Sequence, residues 1–303
     1  MKLIQCVPNF SEGCRTEVIG AIRGAMESAG TAKLIDCSWD CDHNRCVITM
    51  LGEPEAIRDA VIAGAAVAVK LIDLREHKGE HPRIGAIDVV PLTPVLNCTM
   101  EDCVALSYEI GRELAERFEL PVYFYEQSAR SERRKNLAIV RRGGFELLRE
   151  SPLIGERAPD MGPNAAHPTA GATVVGARGP LIAYNVNLGT QDIAPAQEIA
   201  AKIRQIRDEG LGFVGVKALA INLRSRRLTQ VSTNITRPEC VSIYEVYKFV
   251  EKEAEAMGVE VAGSELIGAM REDAMIASFC NSIKLPLIPT SRILDTWIRS
   301  NLS

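Results

Sequence analysis

Histidine is scarce in this chain: four residues in 303, alongside two tryptophans and an aromatic content of 5%. A protein with so few imidazoles has few places to put acid–base chemistry at neutral pH. No C-x-x-C pair occurs among the nine cysteines, and the clusters Cys37, Cys41, Cys46 and Cys98, Cys103 lack zinc-site spacing. The cysteines are therefore expected to be reduced thiols of a cytoplasmic protein. No strong excess of one charge exists: the formal net charge is −4, so no global field draws nucleic acid or an anionic membrane. The longest apolar run, residues 60–72, contains Lys70 and falls short of the ~20 residues of a span. The start, Met1-Lys2-Leu3-Ile4-Gln5-Cys6, has no apolar core of a secretory signal. What remains is a globular composition, 47% hydrophobic and 24% charged.

Two of the four histidines fall in one decapeptide, Glu76-His77-Lys78-Gly79-Glu80-His81-Pro82-Arg83-Ile84-Gly85. It lies between a helical pattern beginning at Pro54 and a strand pattern over 87–92. A polar, backbone-permissive loop on a rigid scaffold is a common seat of chemistry. The spacing His77-x-x-Glu80-His81 matches an inverted zinc-hydrolase motif, which needs both histidines on one helical face. Gly79 weakens such a helix, and Pro82 disfavours helical geometry at His81. Two other readings stand: both histidines are structural, or His81 is a general base with Arg83 beside it as a bidentate carboxylate site.

The order of elements repeats. Strands are expected over 3–7, 33–38, 46–51 and 87–92, with helices over 15–29 and from Pro54 to about Leu74. A helix capped by Thr99 and a strand over 122–125 follow. The second half reads strand 181–187, helix 192–208, strands 214–222 and 228–235, helix 239–257, strand 259–262, with a terminal helix over 292–298. Each half spells β-α-β-β-α-β, so the fold class is α+β: two sequential ferredoxin-like, split-βαβ halves with mixed sheets and a ligand cleft between them. The division is expected at 1–176 and 177–303. Arg130, Arg133, Arg134, Lys135, Arg141 and Arg142 read as a solvated helix face. The stretch 158–171, rich in proline and glycine, reads as a connector. In the strand 181–187, Asn185 and Asn187 share one face, and a polar face of that kind needs partners.

Several colinear blocks carry a resemblance. Cys6-Val7-Pro8-Asn9-Phe10-Ser11-Glu12-Gly13 is similar to the opening signature of glutamate formimidoyltransferases, and His77–Asp88 resembles their catalytic loop. Asp42-His43-Asn44-Arg45, the block 171–178, Tyr184-Asn185-Val186-Asn187-Leu188, Gln230-Val231-Ser232-Thr233-Asn234 and Gly263-Ser264-Glu265-Leu266-Ile267-Gly268 fall where that family has similar blocks. The resemblance implies transfer of a formimidoyl group from N-formimidoyl-L-glutamate to tetrahydrofolate, with tetrahydrofolate as co-substrate and no metal. It implies His81 as the catalytic base. It also implies a folate-binding connector made of Gly162, Pro163, Asn164, Ala165, Ala166, His167, Pro168, Thr169, Ala170 and Gly171. A homodimer holding folate in a tunnel between halves is implied, with a cyclodeaminase supplied separately. Contacts to substrate are expected from Asn9, Glu12, Asn44, Arg45, Arg83, Arg178, Asn185, Asn187 and Asn234. Glu265 is a further acid that could meet pterin nitrogens. Two departures stand out: Asp36-Cys37-Ser38 replaces an acid-x-acid pattern, and 269–273 lacks the family's apolar-proline pattern. The rival readings are a sister enzyme using formimidoylglycine or 5-formyltetrahydrofolate, and a non-catalytic folate-binding module.

Overall fold

The computed structural model describes residues 1–296 and 298. Two sheets of mixed α+β character divide between two compact units, Met1–Gly179 and Pro180–Ser303.

The first unit opens with β1 (Leu3–Cys6) and β2 (Asn9–Phe10), one strand interrupted at Pro8, which has no N–H for a ladder. Then come α1 (Thr16–Ser28), β3 (Lys33–Asp40), β4 (Arg45–Gly52), α2 (Pro54–Leu71) and β5 (Ile87–Leu96). The antiparallel order is β3-β4-β1/β2-β5. After α3 (Met100–Phe118), β6 (Val122–Phe124), and the short α4 (Leu137–Val140) and α5 (Gly144–Glu150), the strand β7 (Thr173–Ala177) inserts parallel between β5 and β6. Helix α1 buries Val18, Ile19, Ile22 and Met26, spaced along one face, against α2. Gly64 of α2, costly to a helix by itself, permits that approach: a Cβ there would lie 2.7 Å from the Met26 side chain. The core around Phe10, Ile22, Ile48 and Ile57 is fully buried, each side chain worth about 1.5–3 kcal/mol. Thr99 caps α3 in a reciprocal box with Asp102, worth about 1 kcal/mol.

The second unit runs β8 (Ile182–Leu188), α6 (Ala194–Asp208), β9 (Val216–Leu223), β10 (Leu228–Ile235), α7 (Ile243–Ala256), β11 (Val261–Ile267) and α8 (Glu272–Ser282). Its antiparallel order β9-β10-β8-β11 is the order of the first four strands of the other unit. Val186, Leu188, Val231 and Ile235 pack with Ile199, Ile203, Val246 and Val250 of α6 and α7. Pairing of Asn187 with Gln230 and of Asn185 with Ser232 and Glu265 puts these residues on the opposite, polar face.

Several expectations change. Strand β7 and helix α8 are present where no element is expected. The expected helix over 292–298 runs into residues outside those described. The arginine-rich stretch is a solvated face only in part: Arg130, Arg133, Lys135 and Arg142 are exposed, while Arg134 and Arg141 are drawn inward. Arg130 lies over the rings of Tyr108 and Phe124, and Arg134 pairs with Asp160 at 2.6 Å and lies over Tyr123. The cysteines are not all free either: Cys14 and Cys41 form a disulfide, their Cα atoms 4.6 Å apart. Their 27-residue separation hides a proximity that only the β3–β4 turn creates. Cys6, Cys46, Cys103 and Cys280 are buried thiols. No helix among the described residues is long and apolar enough to cross a membrane.

Candidate active site

The loop 72–86 leaves α2 and enters β5, and its backbone is fixed at both ends by the proline-rich connector. Leu74 N–H donates to the Thr169 carbonyl at 2.8 Å, Ala86 N–H to Ala170 at 2.9 Å, and Ala172 N–H to Ile84 at 2.9 Å. Gly85 sits so close to the Ala172 carbonyl that any side chain would collide with it. The middle of the loop is held by the β3–β4 turn: Glu80 N–H donates to the Asp42 carbonyl, and Asn44 Nδ2 to the Lys78 carbonyl at 2.8 Å. Asn44 takes a left-handed φ of 47°, which asparagine tolerates, and its Oδ1 accepts from Gly13 N–H.

His81 emerges from this clamp beside a buried charge cluster. Asp88, at the start of β5, is wholly buried and receives Arg45 Nη1 at 3.0 Å, Arg141 Nη2 at 2.5 Å and the Ile84 N–H at 2.9 Å. Both arginine side chains are only 10% exposed. Asn9 Oδ1 accepts from Arg45 Nε and Nη2 and so aims the guanidinium. Arg45 Nη1 also lies 2.9 Å from His81 Nδ1, which is 2.9 Å from the Pro82 carbonyl as well. Burial and the two guanidiniums hold His81 well below its usual pKa, so the ring is neutral at pH 7. Burial and the neighbouring Arg141 lower Arg45 itself to about 10. The Pro82 carbonyl only accepts and the Arg45 guanidinium only donates, so the two neighbours select opposite tautomers; in the Nδ1–H form, bonded to Pro82, the lone pair of Nε2 is left to act as a base.

His77 has no such freedom. Its Nε2 meets the Asn44 carbonyl at 2.8 Å and its Nδ1 accepts from Arg83 Nε at 2.8 Å. Both ring nitrogens are committed, so the His-x-x-Glu-His spacing does not assemble a metal site here. Among the described residues no group of three or more ligating side chains could hold a metal.

The remaining expected residues sort by what they touch. Asn9, Asn44 and Arg45 gather around the loop as described. Glu12, 3% exposed, accepts from Cys14 and Arg15 N–H and pairs with Arg15 at 2.6 Å, so it anchors the start of α1 and does not touch His81. Arg83 binds His77 and, at 2.9 Å, Glu146, so it braces the loop. Arg178 closes β7 with its N–H on the Leu92 carbonyl and Nη1 on the Gly179 carbonyl. His43 is buried, its Nδ1 is 2.7 Å from Asp40, and its ring centroid lies 6.2 Å from that of His81. In the connector, residues 162–165 are exposed while Ala170 and Gly171 are buried, and His167 Nδ1 accepts from Ala170 N–H at 3.0 Å. In the second unit Asn185 and Asn187 are buried, and Asn234 is exposed. Asn187 donates to Glu265 at 3.0 Å and accepts from Gln230 at 2.8 Å.

Two residues escape the sequence reading, Asp88 and Arg141. A signal for Asp88 exists: an acid inside the apolar run Ile87-Asp88-Val89-Val90 must find a cation when buried. Nothing local marks Arg141, whose partner is 53 positions away.

The formiminotransferase domain, N-terminal subdomain, matches residues 3–178, and the formiminotransferase domain matches residues 183–284. A glutamate formimidoyltransferase of Streptococcus pyogenes serotype M1 is 40% identical over 275 residues, covering 91% of this chain and 91% of its own. One of Thermoplasma acidophilum is 41% identical over 278 residues, covering 91% and 90%. The formimidoyltransferase-cyclodeaminase of Gallus gallus is 41% identical over 282 residues, which cover 91% of this chain but 51% of that protein.

Proposed function

We propose, for a chain that belongs to the formiminotransferase family, that it transfers the formimidoyl group of N-formimidoyl-L-glutamate to N5 of tetrahydrofolate and releases glutamate. The observation that carries this reading is the neutral His81, with Nδ1 committed to its surroundings and Nε2 without a partner among the described residues.

The chemistry is addition and elimination at an amidine carbon. N5 attacks that carbon, a C–N bond forms, and Nε2 of His81 takes the proton that N5 sheds. The tetrahedral intermediate collapses by breaking the bond to the glutamate nitrogen, which receives a proton from the same Nε2. Proton count balances, and no electron donor or acceptor is needed. A base that is neutral at pH 7 can accept the first proton, and the guanidiniums that disfavour imidazolium help it give the proton back. The clamped loop keeps the ring in place through both steps. Tetrahydrofolate is a co-substrate in this scheme. The exposed part of the connector, Gly162, Pro163, Asn164 and Ala165, with Ala166, His167, Pro168, Thr169, Ala170 and Gly171 behind it, is our folate contact, supported by its backbone ties to the catalytic loop. Asn185, Asn187 and Asn234 remain substrate contacts in the second unit. Glu12, Arg83 and Arg178 are reassigned as supports of the site. The reading includes a cytoplasmic homodimer. A solution mass of twice 33.1 kDa is expected.

The test is turnover of purified protein with tetrahydrofolate and formimidoylglutamate, formimidoylglycine or 5-formyltetrahydrofolate in parallel. Turnover of formimidoylglutamate with the highest kcat/KM supports the reading. Preference for either alternative changes the donor, and folate binding without any turnover overturns the reading.

A further inference from the structure

The buried cluster beside His81 is out of charge balance. Arg45 and Arg141 carry two positive charges, and Asp88 supplies one negative charge. The nearest ring, His81, is neutral. His43, facing His81, is occupied with Asp40. An uncompensated charge in a buried cluster is costly, and the cost is removed when an anion arrives.

The two arginines are not equally free to receive it. Arg45 spends Nε and Nη2 on Asn9, and Nη1 on Asp88. Arg141 spends only Nη2, on Asp88. Its Nε is buried and has no hydrogen-bond partner, although the side chain is nine-tenths buried. Buried donors without partners are rare in folded proteins, and each needs a reason. The other arginines considered for carboxylates are engaged: Arg83 with His77 and Glu146, and Arg178 at the end of β7.

We infer that Arg141, oriented by Asp88, is the receptor for a carboxylate of the group donor, so that an amino-acid-derived anion completes the cluster beside His81. This rests on the proposed transfer for the identity of the donor, but the anion site itself does not. Binding the carboxylate one residue cluster away from the base would hold the amidine carbon of the same molecule near Nε2. It would also restrict the donor to molecules carrying an acid at a fixed reach from the amidine, and that is a statement about specificity.

The test uses glutarate, a dicarboxylate with no transferable group, and its uncharged diamide, glutaramide, titrated calorimetrically into the intact protein. Glutarate should bind ~10–100-fold more tightly than the diamide, the difference expected for one charge-assisted bond. In Arg141→Gln that preference should fall to within ~3-fold, and Arg141→Lys should restore part of it, while tetrahydrofolate affinity stays unchanged. Equal binding of the two probes to the wild-type protein refutes the inference without any variant. So does a preference that persists in a folded Arg141→Gln. A shift in the pH profile alone, with the preference intact, would make Arg141 only an electrostatic neighbour of His81 and also overturns it. Absence of turnover with formimidoylglutamate would instead strike the donor assignment, and the glutarate result would still decide the anion site.

Discussion

The two units share a strand order and differ in what they bury. In the first, the strands β3-β4-β1/β2-β5 are extended by two parallel strands, and a full charge, Asp88, is sealed at the start of β5 under two arginines. In the second, the same order carries a hydrogen-bonded polar face, Asn187, Gln230 and the carboxylate of Glu265, which also pairs with Arg226 at 2.5 Å. The difference lies less in the sheets than in what is inserted. The loop 72–86 and the connector 162–171 belong to the first unit and are laced together by backbone hydrogen bonds. A common scaffold thus carries two polar arrangements: one copy seals an ion cluster beside His81, and the other lays a side-chain hydrogen-bond network across its sheet.

Substitutions that strike one unit's chemistry and spare the other's sharpen this contrast. The largest effect is expected at Asp88. Asp88→Asn leaves two buried guanidiniums without their carboxylate and should cost about 3–5 kcal/mol in urea unfolding. A loss under about 1 kcal/mol would mean that the cluster does not hold this unit together.

The second effect is on pH dependence. The proposed base, His81, works in its neutral form, and burial, Arg45, Arg141 and His43 hold its pKa well below the usual value. Activity should therefore stay level as pH falls through 6.5 and drop only at lower pH. Arg45→Gln removes one of the charges that disfavour imidazolium, so the acid limb of kcat/KM should move to higher pH. An unmoved limb would separate the histidine from the cluster.

The smallest effect belongs to the second unit. Asn187→Ala should raise a KM by up to ~10-fold, the worth of one hydrogen bond, and leave the acid limb in place. A shifted limb in that variant would break the division of labour between the units.

Much of the architecture was legible because its elements have clear periods. β10 alternates, α3 announces itself through Thr99 and Asp102, and α1 carries its apolar face at helical spacing. Strand β7 was not legible. Thr173–Ala177 is buried throughout, so it shows no alternation, and it follows a connector of prolines and glycines. Helix α8 hides for the opposite reason: it buries only Ile276 and Cys280 and leaves Met275 and Phe279 exposed, so no stripe marks it. At the site, the loop that holds His81 was legible as a polar, proline- and glycine-bearing link between a helix and a strand. The neighbours of His81 were not. Arg83 is close in sequence yet bonds to His77 and Glu146, while Arg45, Asp88 and Arg141 converge from three separate segments. Sequence adjacency predicts contact poorly across a proline, and ion pairs between distant segments exist only once the chain has folded.

The most direct measurement is single-turnover transfer from formimidoylglutamate to tetrahydrofolate by wild-type protein and His81→Ala, with folate binding measured on the same samples. The account predicts a rate lower by ~10²–10⁴-fold in the variant, with folate affinity unchanged. A variant that transfers within a few-fold of wild type would show that the proton passes through some other group, and would contradict the account.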